Sequence, residues 1–306
     1  MSQIALSPSA RQRTQRRVAG AVRALRPRQW SKNVLVLVAP FVSGALVDVQ
    51  VVARGALAFV VFSLAASTIY LLNDVKDVVE DRAHPTKCRR PVAAGVISPR
   101  LAVCLAAGLL VTSMSLAVAL DYRLGIVMAV YLAVQIGYCL GLKDQPVIDI
   151  SIVASGFLLR AIAGGTAAGI PLSQWFLLAT AFGSLFMVAG KRYAEVRLFE
   201  ATGAQVRRSL TLYSASYLRF VWTLAATVLL TTYGLWAFEI NARTDSIWPV
   251  LSIVPFAIAV LRYSVDVDGK AAGEPEEIVL GDRMLQLLGL TWVIFLALAV
   301  YLPGLR

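Results

Sequence analysis

Long apolar stretches separated by short polar segments run along almost the whole chain from about residue 33 onwards. A helix needs about 20 consecutive apolar residues to cross a bilayer, so each stretch of this length predicts a membrane span. The pattern predicts nine spans, at about residues 33–48, 51–72, 101–120, 123–142, 147–168, 173–190, 220–239, 246–262 and 284–303. We therefore expect an all-α polytopic membrane bundle, in which a basic segment (1–30) precedes one intramembrane domain (31–306).

The composition supports a membrane protein. Of the 306 residues, 58% are hydrophobic and 15% are charged, and the mean hydropathy is +0.71. These values exclude a water-soluble globular domain. Cys88, Cys104 and Cys139 do not form a CxxC pair, and His84 is the only histidine, so a zinc site rich in histidine or cysteine is excluded. Any metal ion is expected to bind oxygen ligands.

The distribution of positive charge predicts how the chain lies in the membrane. The net charge is +11, which by itself is compatible with nucleic-acid binding. However, all the Lys and Arg residues fall on the predicted N-terminal side of the nine spans except Arg54, Arg123, Arg243, Arg306 and the intramembrane Arg160. This asymmetry predicts a cytoplasmic N-terminus and excludes nucleic acid as the reason for the charge. The first 30 residues contain no apolar core of a signal peptide, so none is expected.

The basic segment before the first span has two interpretations. Its arginines, from Arg11 to Arg28, are typical of contact with anionic lipid headgroups and of topology control. Near its end, Trp30 is expected at the membrane interface and Lys32 at the cytoplasmic mouth of the bundle. Lys32 is therefore a candidate substrate-binding residue.

An acidic motif follows the second predicted span. In a continuing helix, Asn73, Asp77 and Asp81 fall on one face at intervals of four residues, with Asp74 about a quarter turn aside. Neighbouring carboxylates repel one another unless a cation lies between them, and oxygen ligands favour Mg²⁺. The alternative is a solvated helix start in which Asn73 and Asp74 act as capping residues. We expect these four residues to bind Mg²⁺.

The segment after the acidic motif combines cations with prolines. Two prolines prevent a continuous helix between Arg82 and Pro91, so we expect a loop that folds back over the acidic helix. Carboxylates and cations in one mouth are typical of a metal-bound diphosphate site. Lys87 and Arg90 are the preferred phosphate ligands over Arg89, and Arg82 is a further candidate. The alternative is that these cations only determine the membrane topology of the chain.

A second polar cluster lies where the fourth predicted span meets the fifth. Tyr138, Lys143 and Asp149 occur there, and Arg160 follows Asp149 by eleven residues, which returns a helix to nearly the same face. An intramembrane Arg exposed to lipid costs roughly 2.5–3.5 kcal/mol, so Arg160 is expected to point inward. It is predicted either to bind a phosphate or to form a buried structural ion pair.

The motif NDxxDxxxD, formed by Asn73, Asp74, Asp77 and Asp81, resembles that of the UbiA-type intramembrane prenyltransferase superfamily. The resemblance implies nine helices, a cytoplasmic active site and Mg²⁺. Members that transfer prenyl groups carry a second acidic motif after the sixth helix. This sequence has Lys191 where its first aspartate is expected, and Glu195 four residues later. The local charge is thereby reversed.

Further motifs resemble one branch, the decaprenyl-phosphate phosphoribosyltransferases: RPRQWSKN at 26–33, DRAHPTK at 81–87, LKDQPVID at 142–149 and GFLLRAIAGG at 156–165. The branch implies transfer of a 5-phosphoribosyl group from phosphoribosyl diphosphate to polyprenyl (decaprenyl) phosphate, with release of diphosphate, for cell-wall arabinan in a bacterial plasma membrane. It is compatible with a homo-oligomer.

This function assigns a role to each candidate residue. Asn73, Asp74, Asp77 and Asp81 would hold the metal, while Asp149 could stabilise the positive ribosyl centre. Phosphate oxygens would be bound by cations, for which the candidates are Arg82, Lys87, Arg90, Lys143, Arg160, Lys191 and Arg192, with Lys32 and Tyr138 as further substrate contacts. Asp77, Asp81, Asp149 and Lys191 are the candidate catalytic residues.

Two other functions remain open from the sequence. One is a Mg²⁺-dependent UbiA-type prenyltransferase that acts on an aromatic or quinone-precursor acceptor. The other is a membrane transporter or a lipid-phosphate binder, because polytopic bundles with intramembrane charge are also typical of transporters. The concentration of metal-type ligands on one predicted side, without a matching cluster on the other, argues against transport.

Overall fold

The bilayer-length apolar stretches of the sequence form long helices. The computed structural model describes residues 18–203, 208–269 and 275–302, and no strand occurs in those ranges. The α-helices are α1 (18–24), α2 (Val38–Val42), α3 (Val49–Lys76), α4 (Val78–Ala83), α5 (Pro99–Leu120), α6 (Tyr122–Leu140), α7 (Ile148–Ala168), α8 (Gln174–Thr202), α9 (Ala215–Thr244), α10 (Trp248–Gly269), α11 (Pro275–Gly281) and α12 (Arg283–Tyr301). The predicted all-α class is confirmed.

Seven of these helices are long and apolar enough to cross a membrane: α3, α5, α6, α7, α9, α10 and α12. Together with the 29-residue α8, they coincide with the second to ninth predicted spans. The protein is therefore a multi-pass membrane protein. The count of nine spans stays a prediction, because the first predicted span differs from the others.

Residues 33–48 do not form one continuous helix. A 3₁₀-helix (Pro27–Leu37) leads into the short α2, and a second 3₁₀-helix (Ala45–Val47) follows it. Gly44 has a φ of +72°, a left-handed conformation that ends α2 and that glycine adopts without steric cost. Hydropathy detects the apolar character of this stretch but not the local backbone that interrupts it.

The acidic motif lies across a second interruption. The sequence predicts a helix that continues through the motif, but α3 ends at Lys76 and α4 begins at Val78, with Asp77 between them at φ −90° and ψ 14°. Helical hydrogen bonds still cross this residue, because the Asp77 amide donates to Asn73 at 2.9 Å and the Asp81 amide donates to Asp77 at 2.8 Å. The four-residue spacing of the motif is thus preserved despite the break.

Side-chain caps mark where several helices begin. Ser98, Ser214 and Asp282 accept hydrogen bonds from backbone N–H groups in the first turns of α5, α9 and α12. These N–H groups have no partner within the helix, and a cap typically contributes about 1 kcal/mol. For Asp282 the hydrogen bond from Arg262 is the largest influence, and it lowers the pKa of the carboxyl to about 2.

The described residues divide into two compact units. The first contains the described part of Met1–Val34 together with Leu57–Cys139, and the second contains Leu35–Ala56 with the described part of Leu140–Arg306. In the first unit, α1, α3 and α5 share a core that includes Ala24, Leu71 and Ala102. The predicted single domain over 31–306 has no counterpart in this division and stays a prediction.

In the second unit, helices α7 to α10 share a larger core, to which α12 contributes Leu285. Phe186 stacks on Trp222, and Trp222 stacks on Tyr193, with ring centroids 5.7 Å and 5.5 Å apart. At Gly164 of α7 the backbone of Val36 approaches so closely that an added Cβ would lie 1.8 Å from its carbonyl oxygen. Only glycine allows this approach, which is typical of helix packing in membranes.

We predict that Gly164→Ala lowers the free energy of unfolding by about 1–3 kcal/mol, because the added methyl group forces the backbone at Val36 to move. The measurement is the thermal unfolding midpoint of the purified protein in detergent. Gly234→Ala is the matched control, since a Cβ at that position of α9 meets no atom within 4 Å. Equal midpoints for the two variants would contradict the prediction.

Candidate active site

Two buried carboxylates share one guanidinium in the first unit. Asp74 is 1% exposed and Asp81 is 2% exposed. The Nη1 atom of Arg90 lies 2.7 Å from Oδ2 of Asp81 and 3.3 Å from Oδ1 of Asp74. Asp81 is seven positions after Asp74, and seven steps return a helix to within about 20° of the same face. The motif therefore places Asp74 together with Asp81 at Arg90.

A second arginine, Arg26, neutralises the same cluster. Its guanidinium donates a hydrogen bond to Oδ1 of Asp74 and lies over the ring of Tyr70, with Cζ 4.9 Å from the ring centroid. The backbone of Arg26 has a φ of +54°, a left-handed conformation that is uncommon for residues other than glycine. Arg26 occurs in the RPRQWSKN stretch, but its pairing with a carboxylate 48 residues away left no signal in the sequence.

Asn73 and Asp77 are the other two residues of the acidic motif. The thiol of Cys139 is 3.7 Å from Oδ1 of Asn73, and Lys76 donates to the carbonyl oxygen of Cys139. Asp77 occupies the junction between α3 and α4 and is partly buried. The end of α6, including Cys139, therefore packs beside the acidic motif.

The donor set fits a hard divalent cation in part. Within the described ranges, no three His, Cys, Asp or Glu side chains stand close enough together to hold a metal ion. The carboxylates of Asp74 and Asp81 instead bind Arg90. However, Oδ2 of Asp74 is buried and has no hydrogen-bond partner among the described residues, and a buried anionic oxygen of this kind favours a cation. Asp74 and Asp81 therefore fit Mg²⁺ by chemistry and burial.

The loop after α4 folds back over the acidic motif, as the sequence predicts. Arg82 donates from Nε to the carbonyl oxygen of Ala93 at 3.2 Å. The backbone amides of Thr86 and Lys87 donate to Nδ1 of His84 at 3.2 Å and 3.4 Å. Arg82 and His84 thus stabilise the loop that presents Arg90, and Lys87 is partly buried in it.

The second unit carries its own buried ion pair. Asp149 is fully buried, and Oδ2 lies 3.4 Å from Nη2 of Arg192, which is 6% exposed. The other Nη atom of Arg192 donates to Glu195 at 2.8 Å. One guanidinium therefore compensates two carboxylates on α7 and α8. Lys191, the preceding residue of α8, is partly buried.

A strained turn positions this ion pair. Val147, two residues before Asp149, has a φ of +68°, which is sterically unfavourable for a β-branched residue. Its backbone N–H donates to the hydroxyl of Tyr213 at 2.5 Å. Burial is the largest influence on Tyr213 and raises the pKa of its phenol, so the hydroxyl stays protonated at neutral pH. Neither Val147 nor Tyr213 was singled out from the sequence.

Arg160 is buried within α7, as expected for an intramembrane charge. It is 7% exposed, and its Nη1 donates to the carbonyl oxygen of Gly156 at 2.6 Å. Its Cζ lies 5.7 Å from the ring centroid of Phe157. Whether its role is phosphate binding or structural pairing stays a prediction.

The remaining candidates are partly buried. Lys32 lies in the 3₁₀-helix Pro27–Leu37 and Tyr138 near the end of α6, both in the first unit. Lys143 lies in a 3₁₀-helix, Leu142–Asp144, of the second unit. The basic residues Arg11, Arg13, Arg16 and Arg17 lie outside the described residues. The first unit thus holds all the predicted metal ligands.

Comparison with known proteins places this geometry in a family. The profile of the UbiA prenyltransferase family matches residues 34–288. A decaprenyl-phosphate phosphoribosyltransferase of Mycolicibacterium smegmatis is 57% identical over 296 residues, which cover 93% of each chain. The protein of the same name from Mycobacterium tuberculosis is 58% identical over 287 residues, covering 92% of this chain and 95% of the relative.

Solved structures share the fold at low sequence identity. A UbiA homologue from Archaeoglobus fulgidus bound to GPP and Mg²⁺ has a TM-score of 0.65 and 16% identity, covering 94% of this chain and all of the homologue. A digeranylgeranylglyceryl phosphate synthase has a TM-score of 0.68 and 16% identity, covering 93% of this chain and 99% of the synthase. At this identity the likeness concerns the fold alone.

We predict that Tyr213→Phe lowers the free energy of unfolding by about 1 kcal/mol, because the Val147 amide loses its acceptor in a strained turn. Thermal unfolding in detergent measures this loss. Tyr217→Phe is the control, since Tyr217 stacks on Tyr213 with centroids 5.9 Å apart and its hydroxyl makes no hydrogen bond recorded for the described residues. An equal effect of both substitutions would assign the loss to ring packing instead.

Proposed function

This chain belongs to the UbiA prenyltransferase family, and from that premise we propose that it transfers a 5-phosphoribosyl group from phosphoribosyl diphosphate to a polyprenyl phosphate. One observation carries this proposal: two decaprenyl-phosphate phosphoribosyltransferases are 57% and 58% identical to the chain over nearly its whole length. The protein is then a membrane-bound pentosyltransferase, and its product is consistent with a precursor of cell-wall arabinan.

The acidic cluster of the first unit would hold Mg²⁺. Asp74 and Asp81 supply buried carboxylates, and Asp77 and Asn73 are the further candidate ligands. A bound Mg²⁺ would neutralise the charge that develops on the departing diphosphate. Structures of UbiA homologues with bound Mg²⁺ support a divalent cation.

The candidate cations would bind phosphate oxygens. In the first unit these are Arg90 and Lys87, with Arg82 stabilising their loop. In the second unit they are Lys143, Lys191 and Arg192. The donor carries a diphosphate and a 5-phosphate, and the acceptor carries a third phosphate group, so these substrates need more positive charge than a prenyl diphosphate and a neutral phenol.

The transfer itself exchanges one carbon–oxygen bond for another. An oxygen of the acceptor phosphate forms a bond to the anomeric carbon of the ribose, while the bond from that carbon to the diphosphate breaks. The second pKa of a phosphate monoester is about 6, so the acceptor is largely ionised at neutral pH and needs no strong base. Attack opposite the leaving group inverts the anomeric carbon. The protein contributes positioning and charge compensation.

Asp149 is proposed to act near the positive ribosyl centre. Its contact with Arg192 at 3.4 Å compensates part of its charge. Tyr138, Arg160 and Lys32 remain candidate substrate contacts. We also propose that the active face is cytoplasmic, with the N-terminus on the same side of the bacterial plasma membrane, as the distribution of Lys and Arg predicts.

We predict that Asp77→Ala and Asp81→Ala each abolish Mg²⁺-dependent turnover while the folded protein remains in the membrane, because each removes an anionic oxygen ligand. Glu80→Ala is the matched control, since Glu80 is exposed and lies in α4 between the two aspartates. Activity and detergent-solubilised yield are measured together. Full turnover by both aspartate variants would remove the metal assignment.

The test of the function uses purified protein in detergent with Mg²⁺. Labelled phosphoribosyl diphosphate and polyprenyl phosphate should give a labelled lipid and one diphosphate per product, whereas a prenyl diphosphate with an aromatic acid should give none. Lys191→Asp should lose the transfer, because an anion would replace a phosphate-binding cation, and Lys191→Arg should retain most of it. Prenylation of the aromatic acceptor by the wild type, without use of phosphoribosyl diphosphate, would contradict the proposed function.

A further inference from the structure

A concave pocket lined by arginines lies beside the acidic cluster of the first unit. Its volume is about 210 Å³, and its lining consists of Arg23, Arg26, Asp74, Thr86, Arg89, Arg90 and Pro91. We propose that this pocket, here called the arginine pocket, is a binding site for a phosphate monoester. It adjoins the proposed site of the metal-bound diphosphate and shares Asp74 and Arg90 with it. The assignment of this phosphate monoester to one of the two substrates rests on the proposed function.

The charge of the arginine pocket matches such a ligand. Asp74 is the only carboxylate in its lining, and Arg26 and Arg90 bind it, with Arg90 also binding Asp81. Arg23 and Arg89 line the pocket, and neither forms an ion pair with a carboxylate of the described residues. Pairing the four guanidinium groups with two carboxylates leaves a surplus of about two positive charges, and a phosphate monoester carries about −1.5 to −2 at neutral pH.

The pocket is held in shape before any ligand binds. Arg26 lies in a left-handed backbone conformation at φ +54°, and its amide donates to the carbonyl oxygen of Arg23 at 3.2 Å. Its side chain is fixed by Asp74 and by the ring of Tyr70. Strained residues other than glycine are characteristic of ligand-binding sites, where the surrounding contacts maintain them. The turn therefore sets both Arg23 and Arg26 toward one position.

A discrete ligand explains these contacts better than a diffuse lipid surface. Arginines that only attract headgroups need no buried counter-charge, whereas this pocket has the 1%-exposed Asp74 in its lining. Thr86 also lines the pocket, and its hydroxyl lies 3.3 Å from Nδ1 of His84. Of the four candidate metal ligands only Asp74 lines the pocket, and Arg26 and Arg90 already compensate its charge. A guanidinium group can bind two oxygens of one phosphate through two parallel hydrogen bonds, and a terminal phosphate offers such a pair of oxygens.

Two parts of the proposed substrates have this chemistry. One is the 5-phosphate of the ribosyl donor, and the other is the phosphate of the polyprenyl acceptor. Both are phosphate monoesters, and the substitutions below separate them by the substrate whose binding they weaken. In either case Arg23 and Arg89 become substrate-binding residues that contribute through direct contact.

The test measures binding without turnover. Ribose 5-phosphate and farnesyl phosphate are titrated into the purified full chain in detergent by calorimetry, with EDTA present to remove divalent cations. At least one probe should bind the wild type. Arg23→Gln and Arg89→Gln should each weaken that binding about tenfold, and the double variant more, because each removes charge-assisted hydrogen bonds. Arg100→Gln is the control, since Arg100 is exposed in the same unit outside the pocket.

The outcomes distinguish the donor from the acceptor as the ligand of the pocket. They also distinguish failure of the arginine pocket from failure of the proposed function. Weakened ribose 5-phosphate binding, with a raised KM for phosphoribosyl diphosphate, assigns the pocket to the donor. Weakened farnesyl phosphate binding, with a raised KM for polyprenyl phosphate, assigns it to the acceptor. If the wild type binds neither probe in EDTA, or if the double variant matches Arg100→Gln, the arginine pocket is refuted. Arginine-dependent binding in a wild type that lacks transferase activity would refute the proposed function and leave the pocket.

Discussion

The requirement that buried carboxylates be compensated determines the arrangement of both polar clusters. An ionised carboxylate taken out of water loses several kcal/mol of solvation unless a cation and hydrogen bonds replace it. In the first unit Asp74 and Asp81 depend on Arg26 and Arg90, and in the second unit Asp149 depends on Arg192. Arg26 pairs with Asp74 and Arg192 with Asp149 across more than 40 positions of sequence, so these two pairs also connect segments that are distant in the chain.

The connections explain why local backbone irregularities persist. Arg26 and Val147 both have a positive φ. The side chain of Arg26 pairs with Asp74, and the backbone N–H of Val147 donates a hydrogen bond to the hydroxyl of Tyr213. Such conformations cost about 1–3 kcal/mol each and persist only when the surrounding contacts over-determine them. In both units the irregular residue lies next to charged groups that the proposed reaction uses, whereas the long helices around them are regular.

The sequence predicts the long helices well because their signal is an average over about 20 residues. It does not predict the interruptions within residues 33–48, where the 3₁₀-helix Pro27–Leu37 precedes α2 and Gly44 ends α2 in a left-handed conformation. Spacing identifies the acidic motif, but the pairing of Asp74 and Asp81 with one guanidinium follows from the Arg90 contacts. Arg23 and Arg89 carry no distinguishing local pattern, because Arg23 lies in α1 and Arg89 in the loop after α4, and only the fold brings them to one pocket. Long-range pairing of this kind has no periodicity to detect.

The position of Arg90 has a consequence for how ligands would influence one another. Its guanidinium is the counter-ion of Asp74 and Asp81, and it cannot serve those carboxylates and a phosphate at full strength together. Any cation that neutralises the two aspartates would therefore strengthen the attraction of Arg90 for anions, and by thermodynamic linkage a bound anion would strengthen the hold of the aspartates on that cation. A single side chain is sufficient to make the binding of opposite charges cooperative.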